Sequence, residues 1–410
     1  MATLAGAARP TAKPVQALTF MLGAAVFLNY IDRGAIAVAA PLMKSELNLS
    51  ATAFGIAVSA FFWVYAPVQL FAGWLCDRVS VYKLMAGGII LWAVSTILVG
   101  FAGGLVSLLI LRVMLGVGES ISFPGSSKII ARHVPPESRG AANAAVSTGL
   151  SLGPAVGTLL GGLIVASWGW RAMFFVFGVA TLLWLVPWPR ALRGLDADGH
   201  LDQGARVSAI QLLAKWPLWA MSIAHFLANY FFYFLLTWLP LYLTKERGFS
   251  ITEMAVLATI GYAVQAACAL SFGHFSDWWT RSGRSEVACR RWMVIGTQAL
   301  GALAIAGIVF VHGTIGLAVL LCLAGASTAA LSVNLYSVAQ IFAGPRAAGT
   351  WVGIQNALGN SSGIVGPIVS GLIVDRFGYS AAFVVTAAVT AVGALWWLVA
   401  IPHIRQLEFG

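Results

Sequence analysis

Long apolar stretches separated by short polar segments run along nearly the whole chain. Each stretch holds about 20 residues, the length that an α-helix needs to cross the hydrocarbon core of a bilayer. We predict twelve such spans, at residues 15–40, 51–76, 82–103, 105–131, 140–166, 171–189, 214–243, 252–276, 288–311, 314–342, 348–374 and 379–402. The pattern predicts an all-α polytopic membrane protein with twelve transmembrane helices and both termini on one side.

The longest polar segment, residues 190–209, divides the predicted spans into six and six. The two sets resemble each other: GWLCD, ending at Asp77, recurs as GHFSD, ending at Asp277, and GLIVASWGW (162–170) recurs as GLIVDRFGY (371–379). Six spans per half give both halves the same orientation, as in transporters that rock about a central site. This parallel pseudo-repeat predicts an N-terminal six-helix bundle at 1–189, a cytoplasmic linker at 190–213 and a C-terminal six-helix bundle at 214–410.

Composition and charge placement agree with this architecture. The chain is 60% hydrophobic and 9% charged, whereas soluble domains carry about 25% charged residues. Its formal net charge of +10 does not indicate nucleic-acid binding, because seventeen basic residues lie on the side of the termini and five on the other. That bias predicts cytoplasmic termini. With short termini and loops, we expect a cell membrane, with a bacterial inner membrane as the default. We also expect a monomer.

Signs of enzymatic chemistry are absent from the sequence. The four cysteines and six histidines lack the spacing of a metal site, and no nucleophile–base pair is apparent. The chain also lacks a GxxxxGK[ST] phosphate loop, so energy for transport would come from ion gradients. We therefore expect no enzymatic activity, no cofactor and no metal. The expected partners are the lipid bilayer, protons and a small-molecule substrate.

Two arginines and two carboxylates interrupt apolar spans: Asp32 and Arg33 in the first, and Arg112 and Glu119 in the fourth. A charge at this depth costs at least about 2–3 kcal/mol, so it persists where it is paired or faces a water-filled cavity. Arg112 and Glu119, seven residues apart, share a helix face, whereas the adjacent Asp32 and Arg33 diverge by about 100°. We expect the four groups to converge on one hydrated cavity. Of Asp32 and Arg33, one can face the centre of this cavity while the other faces a neighbouring helix of its own bundle.

The loop after the second span, GWLCDRVSVYK at 73–83, resembles the GxxxDRxGRxx motif of the major facilitator superfamily. Ser80 and Val81 stand where that motif has Gly-Arg. Asp77, near a helix end, can accept from the N-terminus of a facing helix, and Arg78 can pair with a carboxylate across the cytoplasmic seam. Such a latch would stabilise one access state. The residues that we assign to gating are Gly73, Asp77, Arg78, Arg139, Asp277, Arg281 and Arg346.

Two further motifs, NYIDR at 29–33 and RVMLGVGE at 112–119, are similar to those of the anion:cation symporter family. That family includes hexuronate and galactonate carriers and the sialic acid and vesicular glutamate carriers. The resemblance to the major facilitator superfamily covers nearly the whole chain, and the narrower resemblance rests on these motifs. It implies a proton-coupled symporter of an organic anion, a sugar acid or another carboxylate, that works by rocker-switch alternating access.

On this hypothesis, Arg33 binds the substrate carboxylate with its planar fork, Asp32 and Glu119 carry the coupled protons, and Arg112 exchanges between the acids and the anion. A nearby arginine favours the ionised acid and burial favours the neutral one, so movement of the arginine would transfer a proton. The second half has no intramembrane charge and should contribute neutral hydrogen bonds. The other predicted substrate-binding residues are Tyr30, Tyr65, Gln69, Asn229, Tyr230, Tyr233, Asn334, Asn356 and Asn360.

Three alternatives stay open at this stage. The four charges can be static pairs that only specify packing, although apolar residues would do so at lower desolvation cost. A drug/proton antiporter of the same superfamily would favour cations, so competition by anionic and cationic compounds separates it from an anion carrier. A non-transporting receptor built on the same scaffold would need a signalling domain, for which the termini have little room. His225, one turn before Asn229, can titrate, but a structural role is commoner for a buried histidine.

Overall fold

The computed structural model describes residues 12–134, 139–193, 208–401 and 403–408, and within these ranges the regular structure is helical. The helices are α1 (Ala12–Glu46), α2 (Ala51–Arg78), α3 (Val81–Val99), α4 (Leu105–Glu119), α5 (Ser122–His133), α6 (Arg139–Leu183), α7 (Trp188–Ala191), α8 (Ala209–Leu213), α9 (Trp216–Leu241), α10 (Ile251–Arg281), α11 (Glu286–Phe310), α12 (Thr314–Asn360) and α13 (Ser362–Val399). A π-helical turn, Tyr242–Glu246, extends α9.

Ten helical segments in the described chain are long and apolar enough to cross a membrane. Two of them, Thr148–Ala191 with 44 residues and Thr350–Val399 with 50, are far longer than the ~20 residues of one crossing. Each contains a glycine with positive φ, Gly169 at 80° and Gly378 at 81°, a conformation that glycine adopts without strain. Dividing both segments at these glycines gives twelve crossings. The predicted all-α, twelve-span architecture is confirmed.

Two helix breaks lie beside predicted site residues. The fourth span is interrupted after Glu119, where α4 ends and α5 begins at Ser122. Pro124 lacks the N–H that would bond back to the carbonyl of Ser120, which favours this break. A second break, at Ser361, separates α12 from α13 directly after Asn360. Both breaks place a polar side chain at the end of a helix within the membrane.

The two halves of the chain meet through closely packed glycines. We name the face at which α1 begins and α13 ends the terminal face, and the opposite one the far face. A methyl group at Gly55 on α2 would collide with the backbone carbonyl of Pro367 on α13, and one at Gly162 on α6 would collide with the side chain of Ala255 on α10. The absence of side chains at these glycines therefore lets the halves close tightly towards the far face.

Polar contacts support the same closure. The hydroxyl of Ser59 donates to the carbonyl of Ile364 at 2.9 Å. At the far face, the Asp375 carboxylate at the end of the eleventh span accepts from the backbone N–H groups of Ala51 at 2.9 Å and Thr52 at 2.7 Å, and also from the Thr52 hydroxyl. A carboxylate of one half thus caps the first turn of a helix in the other half.

The bounds of the predicted bundles and linker stay a prediction. Of the predicted linker at 190–213, residues 194–207 lie outside the described part of the chain. The described remainder of the linker contains the end of α7 and all of α8.

Candidate functional site

A cavity of about 110 Å³ lies between the two halves, on the terminal-face side of the contacts that close them. The first half lines it with Tyr30, Arg33, Tyr65, Gln69, Phe123 and Leu150. The second half lines it with His225, Ala228, Asn229, Phe232, Tyr233, Gln265, Thr328, Leu331, Ser332, Leu335, Tyr336, Asn356 and Asn360. One wall therefore carries a cation among aromatic rings, and the other is rich in amides and hydroxyls.

Arg33 is held at this cavity by an acid on one side and by aromatic rings on the others. Its Nε donates to Glu119 Oε2 at 3.1 Å, and the pair is almost fully buried. The guanidinium carbon lies 4.4 Å from the centre of the Tyr65 ring and 4.9 Å from that of Tyr30, within the range of cation–π attraction. Its Nη2 has no hydrogen-bond partner among the described residues. One donor of Arg33 is therefore unpaired, with the Nη2 atom itself buried in this state.

Glu119 lies behind Arg33 and does not line the cavity. Its side chain has no exposed surface, and the helix break that follows places it at the end of α4. The carboxylate thus depends on Arg33 for charge compensation, and water in the cavity meets the guanidinium first. Removing one partner of such a buried pair leaves an uncompensated charge that costs about 3–5 kcal/mol.

Asp32 points into the first half, whereas the adjacent Arg33 faces the cavity. Its Oδ2 accepts a hydrogen bond from the indole N–H of Trp92 and another from the Thr96 hydroxyl at 3.1 Å, both on α3. Only 3% of the residue is exposed. The structure therefore places the two acids in different surroundings, Glu119 beside an arginine and Asp32 beside neutral donors.

Arg112 does not line the cavity, which corrects our expectation for this residue. It is 4% exposed, its Nη2 lies 3.5 Å from the carbonyl oxygen of Val58, and its guanidinium carbon lies 5.1 Å from the centre of the Phe61 ring. The guanidinium carbon of Arg33 lies 5.2 Å from the same ring. The physical reason is depth, because seven residues along α4 displace Arg112 from Glu119 by about 10 Å towards the far face.

The polar groups of the opposite wall bond to one another. Asn360 Oδ1 accepts from the Asn229 amide at 3.1 Å and from the Tyr233 hydroxyl at 2.8 Å. Asn356 Oδ1 accepts from the Tyr336 hydroxyl at 2.9 Å. Asn360 Oδ1 thus accepts two hydrogen bonds and Asn356 Oδ1 accepts one, and each residue carries an amide NH2 group that can donate.

Tyr230 and Asn334, also predicted at the site, lie away from the cavity. The Tyr230 hydroxyl is 3.4 Å from Ser370 Oγ, because one residue along α9 turns it about 100° from Asn229. Asn334 donates to the carbonyl of Ala330 at 2.8 Å and lies 3.4 Å from Arg290 Nη1. Both polar groups serve contacts between or within helices, which corrects these two predictions.

Several cavity residues were not among our site predictions. Thr328, Ser332 and Tyr336 follow one another at intervals of one turn on α12, a pattern that indicates a common face. Phe232 and Gln265 carry no such signal in the sequence. His225 also lines the cavity, and its Nδ1 has no partner in the described part of the chain.

Most of the predicted gating residues have side chains that the structure does not describe. These residues are Asp77, Arg78, Arg139, Asp277 and Arg346, and Gly73, which has no side chain, lies within α2. Arg281 is exposed at the end of α10 on the terminal face. Its gating role stays a prediction.

Comparisons with known proteins identify relatives over nearly the full length. The family model described as Major Facilitator Superfamily matches residues 22–367 and 283–407. The chain is 30% identical over 393 residues to a probable sulfoacetate transporter of Cupriavidus necator, covering 90% of each chain. It is 27% identical to a hexuronate transporter of Bacillus subtilis, covering 93% of each. A solved bacterial homologue of the human lysosomal transporter Spinster shares the fold, with a TM-score of 0.81 at 20% identity, covering 97% of this chain and 98% of that one.

Proposed function

Because the chain belongs to the Major Facilitator Superfamily, a family of transporters and not of enzymes, we propose that it is a proton-coupled symporter of an organic anion. The named relatives support an anionic substrate, since one is a probable sulfoacetate transporter and the other a hexuronate transporter. We propose a sugar acid or another carboxylate as the substrate. The observation that carries the proposal is that Arg33 faces the cavity while its other side pairs with the buried Glu119.

The proposed coupling follows from the sharing of one arginine between two anions. A substrate carboxylate that binds the guanidinium fork of Arg33 competes with Glu119 for it. Glu119 has no exposed surface, so losing its partner costs about 3–5 kcal/mol while it stays charged. Protonation removes that cost. Substrate binding and proton uptake at Glu119 would therefore favour each other, which is the linkage that a symporter requires.

The other buried charges would complete this cycle. Asp32, which contacts Trp92 and Thr96, is the second candidate for proton binding. In the closed far-face state, Arg112 would act on the acids as a nearby positive charge without contacting substrate. Because basic residues concentrate on the terminal face, we assign that face to the cytoplasm. We propose a monomer in a bacterial inner membrane.

The test is uptake by the purified protein in proteoliposomes under an imposed proton gradient, with glucuronate first and then a panel of carboxylates. We expect accumulation by the wild type. Glu119→Gln should keep counterflow exchange but lose gradient-driven accumulation, because its amide cannot take up the proton. Arg33→Lys should lower the rate of uptake more than tenfold, since lysine cannot reproduce the bidentate fork.

The matched control is Glu46→Gln, which alters another arginine–glutamate pair at the far face, with Arg171. It should transport like the wild type. Accumulation by Glu119→Gln against its gradient would overturn the coupling role. Competition by cationic compounds but by no carboxylate would overturn the anion carrier and favour the drug/proton antiporter.

A further inference from the structure

The cavity presents a single positive charge to its contents. Of the described residues that line it, Arg33 is the one with a cationic side chain. Arg112, the other intramembrane arginine, is only 4% exposed. Its guanidinium group is directed at Val58 and Phe61. A ligand in this state therefore has one guanidinium with which to pair.

No carboxylate lines the described cavity, although two lie close behind its wall. Glu119 is covered by Arg33, and Asp32 is turned towards Trp92 and Thr96. A cationic group on a ligand would thus find only neutral acceptors and would also be repelled by Arg33. Leaving a charge unpaired in so buried a place is unfavourable.

The wall opposite Arg33 offers amide donors at Asn356 and Asn360. The side-chain oxygens of Asn356 and Asn360 already accept from tyrosine hydroxyls, at 2.9 and 2.8 Å. Each amide nitrogen carries two N–H groups. The far end of a ligand that spans the cavity would meet these donors, so an oxygen acceptor suits it best.

We propose that the cavity selects a monoanion, which pairs its one carboxylate with Arg33 and directs hydrogen-bond-accepting oxygens at Asn356 and Asn360. The proposal deepens and rests on the proposed function. It excludes dianions, whose second charge would be desolvated against neutral amides, and zwitterions, whose ammonium would lack a partner. It separates this chain from its sulfoacetate-transporting relative, because sulfoacetate carries both a sulfonate and a carboxylate.

The experiment uses ligands that differ only in the functional group at one end of the carbon chain. Gluconate, glucarate and 6-amino-6-deoxygluconate share a six-carbon skeleton and end in a hydroxyl, a carboxylate and an ammonium. The series 4-hydroxybutyrate, succinate and 4-aminobutyrate makes the same comparison on four carbons. Binding to the purified wild type is measured by calorimetry, and uptake by proteoliposomes. In whichever series binds, the hydroxyl compound should bind at least tenfold more tightly than the other two.

A variant then tests the donor wall. Asn356→Asp replaces the amide with an acceptor of negative charge, so the preference for hydroxyl over ammonium should reverse by at least tenfold. Asn334→Asp is the matched control, because Asn334 lies outside the cavity and beside Arg290, which can pair with the new carboxylate. It should leave the preference unchanged. Thermal unfolding of both variants checks their folding.

The outcomes separate the two proposals. Binding of none of the six carboxylates would overturn the proposed function itself. Dicarboxylates that bind as tightly as the hydroxyl compounds would overturn the monoanion inference and leave the anion carrier standing. An unchanged preference in folded Asn356→Asp would overturn the assignment of the donor wall to this residue. The ligand series on the wild type remains decisive if Asn356→Asp does not fold.

Discussion

Phe61 lies beside two guanidinium groups, 5.2 Å from that of Arg33 and 5.1 Å from that of Arg112. The ring can attract both cations through its π face, while the acids compensate their charge. Two arginines near one ring repel each other, so a shift of Arg33 towards substrate also changes the surroundings of Arg112. The four charges therefore form one coupled group, even though Arg33 alone among them faces the cavity.

The hydrogen bonds of Asp32 lead to a prediction at this scale. In the double variant Trp92→Phe, Thr96→Val, the carboxylate loses both donors seen in the structure. Because these donors stabilise the ionised form, we expect accumulation driven by a proton gradient to fall at least fivefold. Substrate binding at Arg33, measured by calorimetry, should stay within about threefold of the wild type.

Trp219→Phe provides the control, since it removes an indole that donates to the carbonyl of Leu213 far from the cavity. It should accumulate substrate normally. If the double variant accumulated substrate to the wild-type level, the environment of Asp32 would not affect coupling.

Part of the site could be predicted from sequence because helical geometry fixes it. The divergence of Asp32 and Arg33 follows from their adjacent positions, and the structure agrees with it. The exclusion of Arg112 could not be predicted in the same way. It depends on how deep the cavity reaches between the halves, and this is set by contacts such as that of Gly55 with Pro367.

At the scale of elements, the two halves differ in how they cap their second helix. The N-terminus of α2 is capped by Asp375 from the other half as well as by its own Ser50. The N-terminus of α10 is capped within its own half by Ser250 and Glu253. Ala166 occupies the position of Asp375 in the first repeat. The polar latch at the far face is therefore present on one seam and missing from the pseudo-symmetric one.

Asp375→Asn should weaken closure of the far face. Hydrogen bonds to a charged acceptor contribute about 1.5–3 kcal/mol, and the neutral amide keeps part of this, so we expect the population open at this face to rise about tenfold. Spin labels are attached at Leu49→Cys and Arg376→Cys in a chain without its native cysteines. Double electron–electron resonance then measures the distance between the labels across the seam.

Glu253→Gln is the matched control, because it perturbs a helix cap that lies wholly within one half. Its distance distribution should match that of the wild type. An equal change in both variants, or none in Asp375→Asn, would rule out a latch between the halves. No sequence signal connects Asp375 to Ala51, because 324 residues separate them.

At the scale of the molecule, the architecture follows from the thickness of the lipid bilayer that surrounds the chain. Apolar stretches of bilayer length fix the number of spans, and the structure shows them once Gly169 and Gly378 divide the two longest segments. The rotation of each helix about its axis is set by packing against neighbours, which is why the cavity residues were harder to predict than the fold.

Closure of the whole molecule depends on the absence of a side chain at Gly55. Gly55→Val should hold the halves apart at the far face and lower transport at least tenfold, while the protein still folds and inserts. Gly87→Val is the control, because nothing lies within 4 Å of a Cβ at that position. Normal uptake by Gly55→Val would mean that transport does not require this contact.

The concealment of Glu119 behind a guanidinium matters to a membrane that stores energy as a proton gradient. On the proposed mechanism, a hydronium ion arriving alone meets a fixed positive charge before it meets the acid, and binding there is unfavourable until cargo draws the arginine aside. An idle carrier would then pass no leak current. On this mechanism, the protein without substrate would not dissipate the proton gradient.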